Sequence, residues 1–160
     1  MVKYELRFVR YIPRRAIEEY FEEFDRFGEY CNVLWRLYDV SVEEWLEEIY
    51  LDNKTMYVGF CVNDKLVGMA RVTPNPNHIE NGKVGYAIRP TCRGKLLAPT
   101  MIRLIEDYCK WIGLHDVTAC VEAGNYRSLK AFDRAGWEAT GNVYHWTGDR
   151  LAIELSPSKL

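Results

Sequence analysis

Arg93, Gly94 and Lys95 stand together between two stretches of different periodicity, and that placement gives them a chemistry. Before them Val84, Tyr86 and Ile88 alternate as strand residues do, and Pro90 ends the run. After them Met101, Leu104, Ile105, Tyr108 and Ile112 recur at helical spacing until Gly113 stops the pattern. A helix therefore begins inside or just after Arg93-Gly94-Lys95-Leu96-Leu97-Ala98. The N–H groups of its first turn have no helical partner and lie at the positive end of the helix dipole. Such a turn receives anions, phosphate most often. Arg93 and Lys95 add charge, and Gly94 lets the backbone come close. Taken alone, the run also fits an ordinary loop whose basic side chains are solvated.

A second stretch changes the balance. Residues 116–137 give a strand through Val117, Ala119 and Val121, then Asn125 with Ser128 three residues on, then a short helix closed by Gly136-Trp137. Together the two stretches resemble the GNAT family of N-acetyltransferases, in which a Gln/Arg-x-x-Gly-x-Gly/Ala loop follows a splayed central strand and an Asn precedes the last helix. Arg93 and Ala98 match the ends of that loop, Ile88-Arg89-Pro90 the end of the strand, and Asn125, Ser128 and Gly136-Trp137 the later motif. The resemblance implies acetyl-CoA as co-substrate, held by Ala87, Ile88, Arg93, Gly94, Lys95, Leu96, Leu97, Ala98, Asn125, Ser128 and Phe132. It also implies that backbone N–H groups of Tyr86 to Ile88 receive the thioester oxygen as it gains charge.

Two positions depart from the pattern. Leu96 replaces the loop's central Gly, which a helical dihedral would tolerate at the risk of crowding the pyrophosphate. Phe132 stands where many members have a Tyr that protonates the departing thiolate, and Phe has no proton to give.

Acetyl transfer to an alkylamine needs an unprotonated nitrogen, yet at neutral pH only roughly a thousandth of a group with a pKa of about 10.4 is free base. A base, or water leading to one, is required. Glu122 ends the strand before Asn125 and stands either as that base or water-holder, or as a surface or capping residue. Tyr86 either carries a proton through water or packs with its hydroxyl satisfied. His78, His115 and His145 are scattered, and no spacing suggests a metal site.

The elements that position these residues follow from the rest of the chain. Residues 3–11 read as a first strand, Pro13 opens a helix stopped at Gly28, and Ser41 with Glu44 forms a capping box for a second helix. Strands are expected at 56–62 and 66–73, joined at Asn63-Asp64-Lys65, then a loop from Pro74 to Gly82. Two last strands are expected near 139–147 and 150–155. The order is β, α, α, β, β, β, α, β, α, β, β: an α/β chain with a single-domain mixed, mostly antiparallel central sheet and helices on both faces. The resembled family uses this same order, the acyl-CoA N-acyltransferase fold.

At 160 residues the chain suits one domain, 1–160. A formal charge of −2 and a pI near 6.0 argue against a broad basic nucleic-acid surface. No apolar run reaches the roughly 20 residues of a membrane span, and the N-terminus lacks the apolar centre of a signal peptide. Five cysteines without a Cys-x-x-Cys pair read as reduced thiols, so the chain is expected to be cytoplasmic. Between Ile12 and Asp52 twelve acids face four arginines, a balance of −8. In the resembled family the first two helices border the acceptor, so that charge suits a small cationic amine, though it also fits solvated helix faces. The activity implied is N-acetyltransfer by direct attack of a primary amine on acetyl-CoA. The alternative is a weak or inactive acyl-CoA-sensing module, which the changes at Leu96 and Phe132 would suit. The exposed edge of a final hairpin would allow a homodimer.

Overall fold

A computed structural model describes residues 1–28, 41–51, 54–94, 97–120, 126–140 and 143–147. Alternation and helical spacing produce their elements in the expected order. Strand β1 (Tyr4–Phe8) leads through a 3-10 turn into helix α1 (Arg14–Arg26), and α2 (Val42–Leu51) follows. Strands β2 (Met56–Val62), β3 (Lys65–Asn75) and β4 (His78–Ile88) run consecutively. A 3-10 turn (Pro90–Cys92) leads toward α3 (Leu97–Trp111), followed by β5 (Asp116–Cys120), α4 (Tyr126–Ala135), β6 (Glu138–Thr140) and β7 (Val143–Thr147).

The seven strands form one sheet in the order β1-β2-β3-β4-β5-β7-β6. Only β4 and β5 are parallel, so the mixed, mostly antiparallel sheet is as expected. One face carries α1 and α2 over a core that includes Ile17, Tyr20, Phe21, Phe24, Trp45 and Met69. The other carries α3 and α4 over a larger core that includes Met101, Ile102, Ile105, Phe132, Trp137 and Trp146. Among the described residues no helix is long and apolar enough to cross a membrane.

Local chemistry explains the element ends. Ser41 Oγ accepts the Glu44 N–H at 3.1 Å, the N-terminal half of the expected capping box. Asn63 and Asp64 take φ of 48° and 68°, the two-residue turn that matches the twist of paired strands. At the end of α4, Trp137 N–H returns to Phe132 C=O and Gly136 N–H to Asp133 C=O. This closure requires the left-handed φ of 82° that Gly136 supplies.

Three expectations are corrected. Pro74 to Gly82 is not a loop: β3 runs to Asn75 and β4 starts at His78. Pro74 fits because its missing N–H would point away from β4, toward the side where β2 has already ended opposite Val72. The 139–147 stretch is two short antiparallel strands, β6 and β7, instead of one. The expected strand at 150–155 lies outside the described residues. In α3 the buried stripe is Met101, Ile102, Ile105 and Cys109, with Leu104, Tyr108 and Ile112 at its margin, so the helix is rotated relative to the expected face.

Candidate active site

The pairing of β4 with β5 is short, and the opening it leaves forms the site. Among the described residues the two strands pair only at Asn81 with Asp116, Gly82 with Val117 and Lys83 with Thr118, although β5 continues to Cys120. On its other side β4 stays paired with β3 as far as Ile88 opposite Gly68. Arg89 N–H donates to Val67 C=O at 2.8 Å. By the alternation of an antiparallel ladder, Gly85 and Ala87 also turn their backbone groups to β3, while Val84, Tyr86 and Ile88 turn theirs toward β5. Past Lys83 no described residue of β5 pairs with β4, although β5 itself runs on to Cys120. The N–H groups of Tyr86 and Ile88 therefore turn toward the gap left, among the described residues, where β4–β5 pairing ends. Of the three residues expected to supply oxyanion donors, Ala87 does not, because its N–H belongs to the β3 ladder.

The helix on the opposite face reaches the same strand end. Tyr20 on α1 donates its hydroxyl to Ala87 C=O at 2.7 Å. Glu23, one turn further, is 3% exposed. Its Oε1 accepts the Thr91 hydroxyl at 2.8 Å, its Oε2 accepts the Thr91 N–H at 3.2 Å, and Arg89 Nε lies 3.1 Å from Oε1. Burial pushes the Glu23 carboxyl up, but the Thr91 donors and the Arg89 charge outweigh that and hold it below the ordinary value of 4.5. Neither Tyr20 nor Glu23 was singled out in the sequence as a site residue. A signal existed: Glu23 falls on the Tyr20–Phe24 face of α1, where an acid on an apolar stripe needs partners.

The anion-binding run lies beyond this turn. Arg93 Nε donates to Ile88 C=O at 3.2 Å, and its guanidinium sits 5.6 Å from the centre of the Phe24 ring. Gly94 takes φ of 79°, and a Cβ added there would meet nothing within 4 Å. Its role is therefore conformational freedom in the turn, not the relief of crowding. Lys95 and Leu96 lie outside the described residues. The first turn of α3, Leu97, Ala98, Pro99 and Thr100, carries no acidic side chain. Pro99 has no N–H, so Leu97, Ala98 and Thr100 are the donors of that turn.

On the α4 side the Tyr86 hydroxyl donates to Ser128 Oγ at 3.2 Å. Burial raises the Tyr86 pKa above 10.0, with the Ser128 bond opposing it, so the hydroxyl keeps its proton at neutral pH. Phe132 is 2% exposed, its ring 5.7 Å from Tyr86, 4.8 Å from Trp137 and 5.1 Å from Tyr144. The structure thus brings Tyr86, Ser128 and Phe132 together beside the gap, and Ile88, Arg93 and Gly94 at its end. Glu122 and Asn125 lie outside the described residues. His145 pairs with Asp116, which opens β5, at the end of that strand away from the gap.

Backbone donors turned away from the β3 ladder where the described β4–β5 pairing ends, next to a helix N-terminus with basic residues before it, are suited to hold a phosphate-bearing thioester and stabilise charge on its carbonyl oxygen. A family model described as the Acetyltransferase (GNAT) family matches residues 15–137. No curated protein matches. Among solved structures, the aminoglycoside acetyltransferase AAC(6')-Ib in complex with coenzyme A and kanamycin superposes with a TM-score of 0.75 at 11% identity, over 96% of this chain and 100% of that one. Mycobacterium smegmatis RimJ in complex with CoA-disulfide gives 0.74 at 14%, over 91% and 82%. A chimera of the spermidine N-acetyltransferase SpeG from Vibrio cholerae and hSSAT gives 0.72 at 17%, over 93% and 98%. At these identities the structural likeness establishes the fold.

Proposed function

The chain belongs to the GNAT acetyltransferase family, and we propose that its acceptor is the primary amine of a small cationic molecule, acetylated by direct attack on acetyl-CoA within one domain, residues 1–160. The protein is an acetyl-CoA-dependent N-acetyltransferase. Acetyl-CoA supplies an acetyl group activated as a thioester. The observation that carries the site assignment is the end of β4–β5 pairing at Lys83 and Thr118, which turns the Tyr86 and Ile88 N–H groups into the gap.

In this reading those two N–H groups bind the carbonyl oxygen, and Ala87 fixes their strand through the β3 ladder and Tyr20. The first turn of α3 with Leu97 and Ala98, preceded by Arg93, Gly94, Lys95 and Leu96, takes the pyrophosphate. Ser128 and Phe132 line the other wall, and Asn125 is assigned to acetyl-CoA with them. The new N–C bond forms as the C–S bond breaks; the amine proton leaves to Glu122 or to water that it holds, and the thiolate takes a proton. Tyr86, which keeps its proton at neutral pH, is the donor, directly or through water.

The acceptor class is supported by a cavity of about 230 Å³ between α1 and α2, lined by Glu18, Glu22, Asp25 and Glu43 with Arg14. Arg14 is bound to Glu18 at 2.8 Å and to Glu43 at 3.5 Å, and Arg15 lies 3.6 Å from Glu18, so acids outnumber cations in the lining. Two structures of the same fold are named for kanamycin and for spermidine, both amines. Cys61, Cys92 and Cys109, free among the described residues, favour a cytoplasmic site of action.

The test is calorimetric titration of acetyl-CoA into wild type and Arg93→Ala, with thiol release followed on adding a panel of neutral and cationic amines. Binding weakened at least tenfold by the substitution, with thiol release favouring cationic amines, is the expected result. Binding unaffected by Arg93→Ala overturns the phosphate assignment, and binding without thiol release favours the sensing module.

A further inference from the structure

We propose that Glu23 is a positioning residue for acetyl-CoA binding: from α1 it holds the Pro90–Cys92 turn, and through it the strand end and the loop that begins at Arg93. The inference rests on the reading that this loop takes the pyrophosphate. Glu23 is the sole buried acid among the described residues, on a helix whose remaining acids are exposed or only partly covered. Each of its oxygens is engaged on the turn, Oε1 by the Thr91 hydroxyl and Oε2 by the Thr91 N–H.

Arg89 completes the arrangement. Its Nη1 donates to Leu66 C=O at 3.0 Å and its backbone N–H to Val67 C=O at 2.8 Å, which ties it to β3. Its Nε lies 3.1 Å from Glu23 Oε1 but without the alignment of a hydrogen bond, so charge attraction holds the pair. Two residues past Thr91, Arg93 bonds back to Ile88 C=O. The chain from Ile88 to Arg93 is thus held at Arg89, Thr91 and Arg93, and the middle hold comes from α1. Tyr20, three residues before Glu23 on the same face of α1, holds Ala87. One face of one helix therefore positions both the strand that presents the oxyanion donors and the turn that presents the phosphate site.

Packing alone does not call for this carboxylate. A buried charge is costly to desolvate, and an apolar residue of like size often serves stability as well. What an apolar residue does not supply is an acceptor for the Thr91 N–H, and without one the turn is free to shift with the loop it leads into.

The experiment measures the Kd of acetyl-CoA by calorimetry, KM and kcat with an accepted amine, and the thermal midpoint, for wild type, Glu23→Gln, Glu23→Ala and Thr91→Val. Expected are a rise of at least tenfold in Kd and KM for Glu23→Ala, a smaller rise for Glu23→Gln and Thr91→Val, and kcat within about threefold of wild type throughout. Glu23→Gln keeps an acceptor oxygen and Thr91→Val keeps the Arg89 pair, so these two carry the test if Glu23→Ala does not fold. Folded variants that bind acetyl-CoA like wild type, with or without a lowered thermal midpoint, overturn the proposal. Wild type that binds no acetyl-CoA overturns the phosphate reading and this inference with it, a failure distinct from that of Glu23 alone.

Discussion

Three side chains carry separable expectations. Tyr86→Phe removes the hydroxyl that meets Ser128 and leaves the ring against Phe132. Loss of a positioned acid lowers a rate by roughly a hundred- to ten-thousandfold; because a thiolate leaves readily, kcat should fall by about a hundredfold, and KM for acetyl-CoA should not move. Because burial raises the Tyr86 pKa, the wild-type rate should not lose its proton donor until the pH passes 10.0, a limb that Tyr86→Phe removes from the pH profile of kcat. Phe132→Tyr puts a hydroxyl among Trp137, Tyr144 and Tyr86. An unmet hydroxyl there costs about 1–3 kcal/mol, read as a thermal midpoint lower by several degrees, while kcat is not reduced. A large loss of kcat in folded Phe132→Tyr would mean that Phe132 does not occupy the position assigned to it. For Glu23 the fold lowers the carboxyl pKa, so its stabilisation is complete above the ordinary 4.5 and disappears as pH falls through the folded value. Urea midpoints of wild type and Glu23→Gln should accordingly differ most at neutral pH and converge toward pH 3.

At the scale of elements, the site depends on where two strands part and on how a helix begins. Gly94→Ala tests the second. Nothing obstructs the added Cβ, but φ of 79° is unfavourable for Ala by about 1–2 kcal/mol. The loop should shift to relieve it, raising KM for acetyl-CoA severalfold with kcat little changed, and Gly94→Asn should show a milder form of the same defect. An unchanged KM in Gly94→Ala would separate the loop from acetyl-CoA binding. The turn chemistry of β3–β4 was visible in the sequence, but its extent was not. Asn77 N–H bonds Asn75 Oδ1 at 2.9 Å and the strands pair up to Asn75 opposite His78. Pro and Asn marked a short turn inside what looked like a longer loop.

At the scale of the molecule, the excess of acids between Ile12 and Asp52 acts as a field rather than as single contacts. Raising ionic strength from about 0.01 M to about 0.15 M shortens the Debye length from about 30 Å to about 8 Å. kcat/KM for a dicationic amine should fall severalfold over that range, while a neutral amine should be affected little. Equal salt response for both amines would remove the acidic helices from acceptor selection.

Periodicity and end signals in the sequence determined the helices, the order of elements along the chain and the basic run before α3, because they are local properties of neighbouring residues. The resemblance carried by those local motifs implied Arg93, Gly94, Ser128 and Phe132 as residues of one site, with Tyr86 a candidate beside them. Only the tertiary structure decided that β5 leaves β4 at Lys83, that Tyr86 and Ile88 rather than Ala87 face the gap, and that Glu23 closes on a turn 68 residues away. Those facts depend on pairing and burial between distant segments, and the balance of a carboxylate against its partners is fixed only when the chain brings them together.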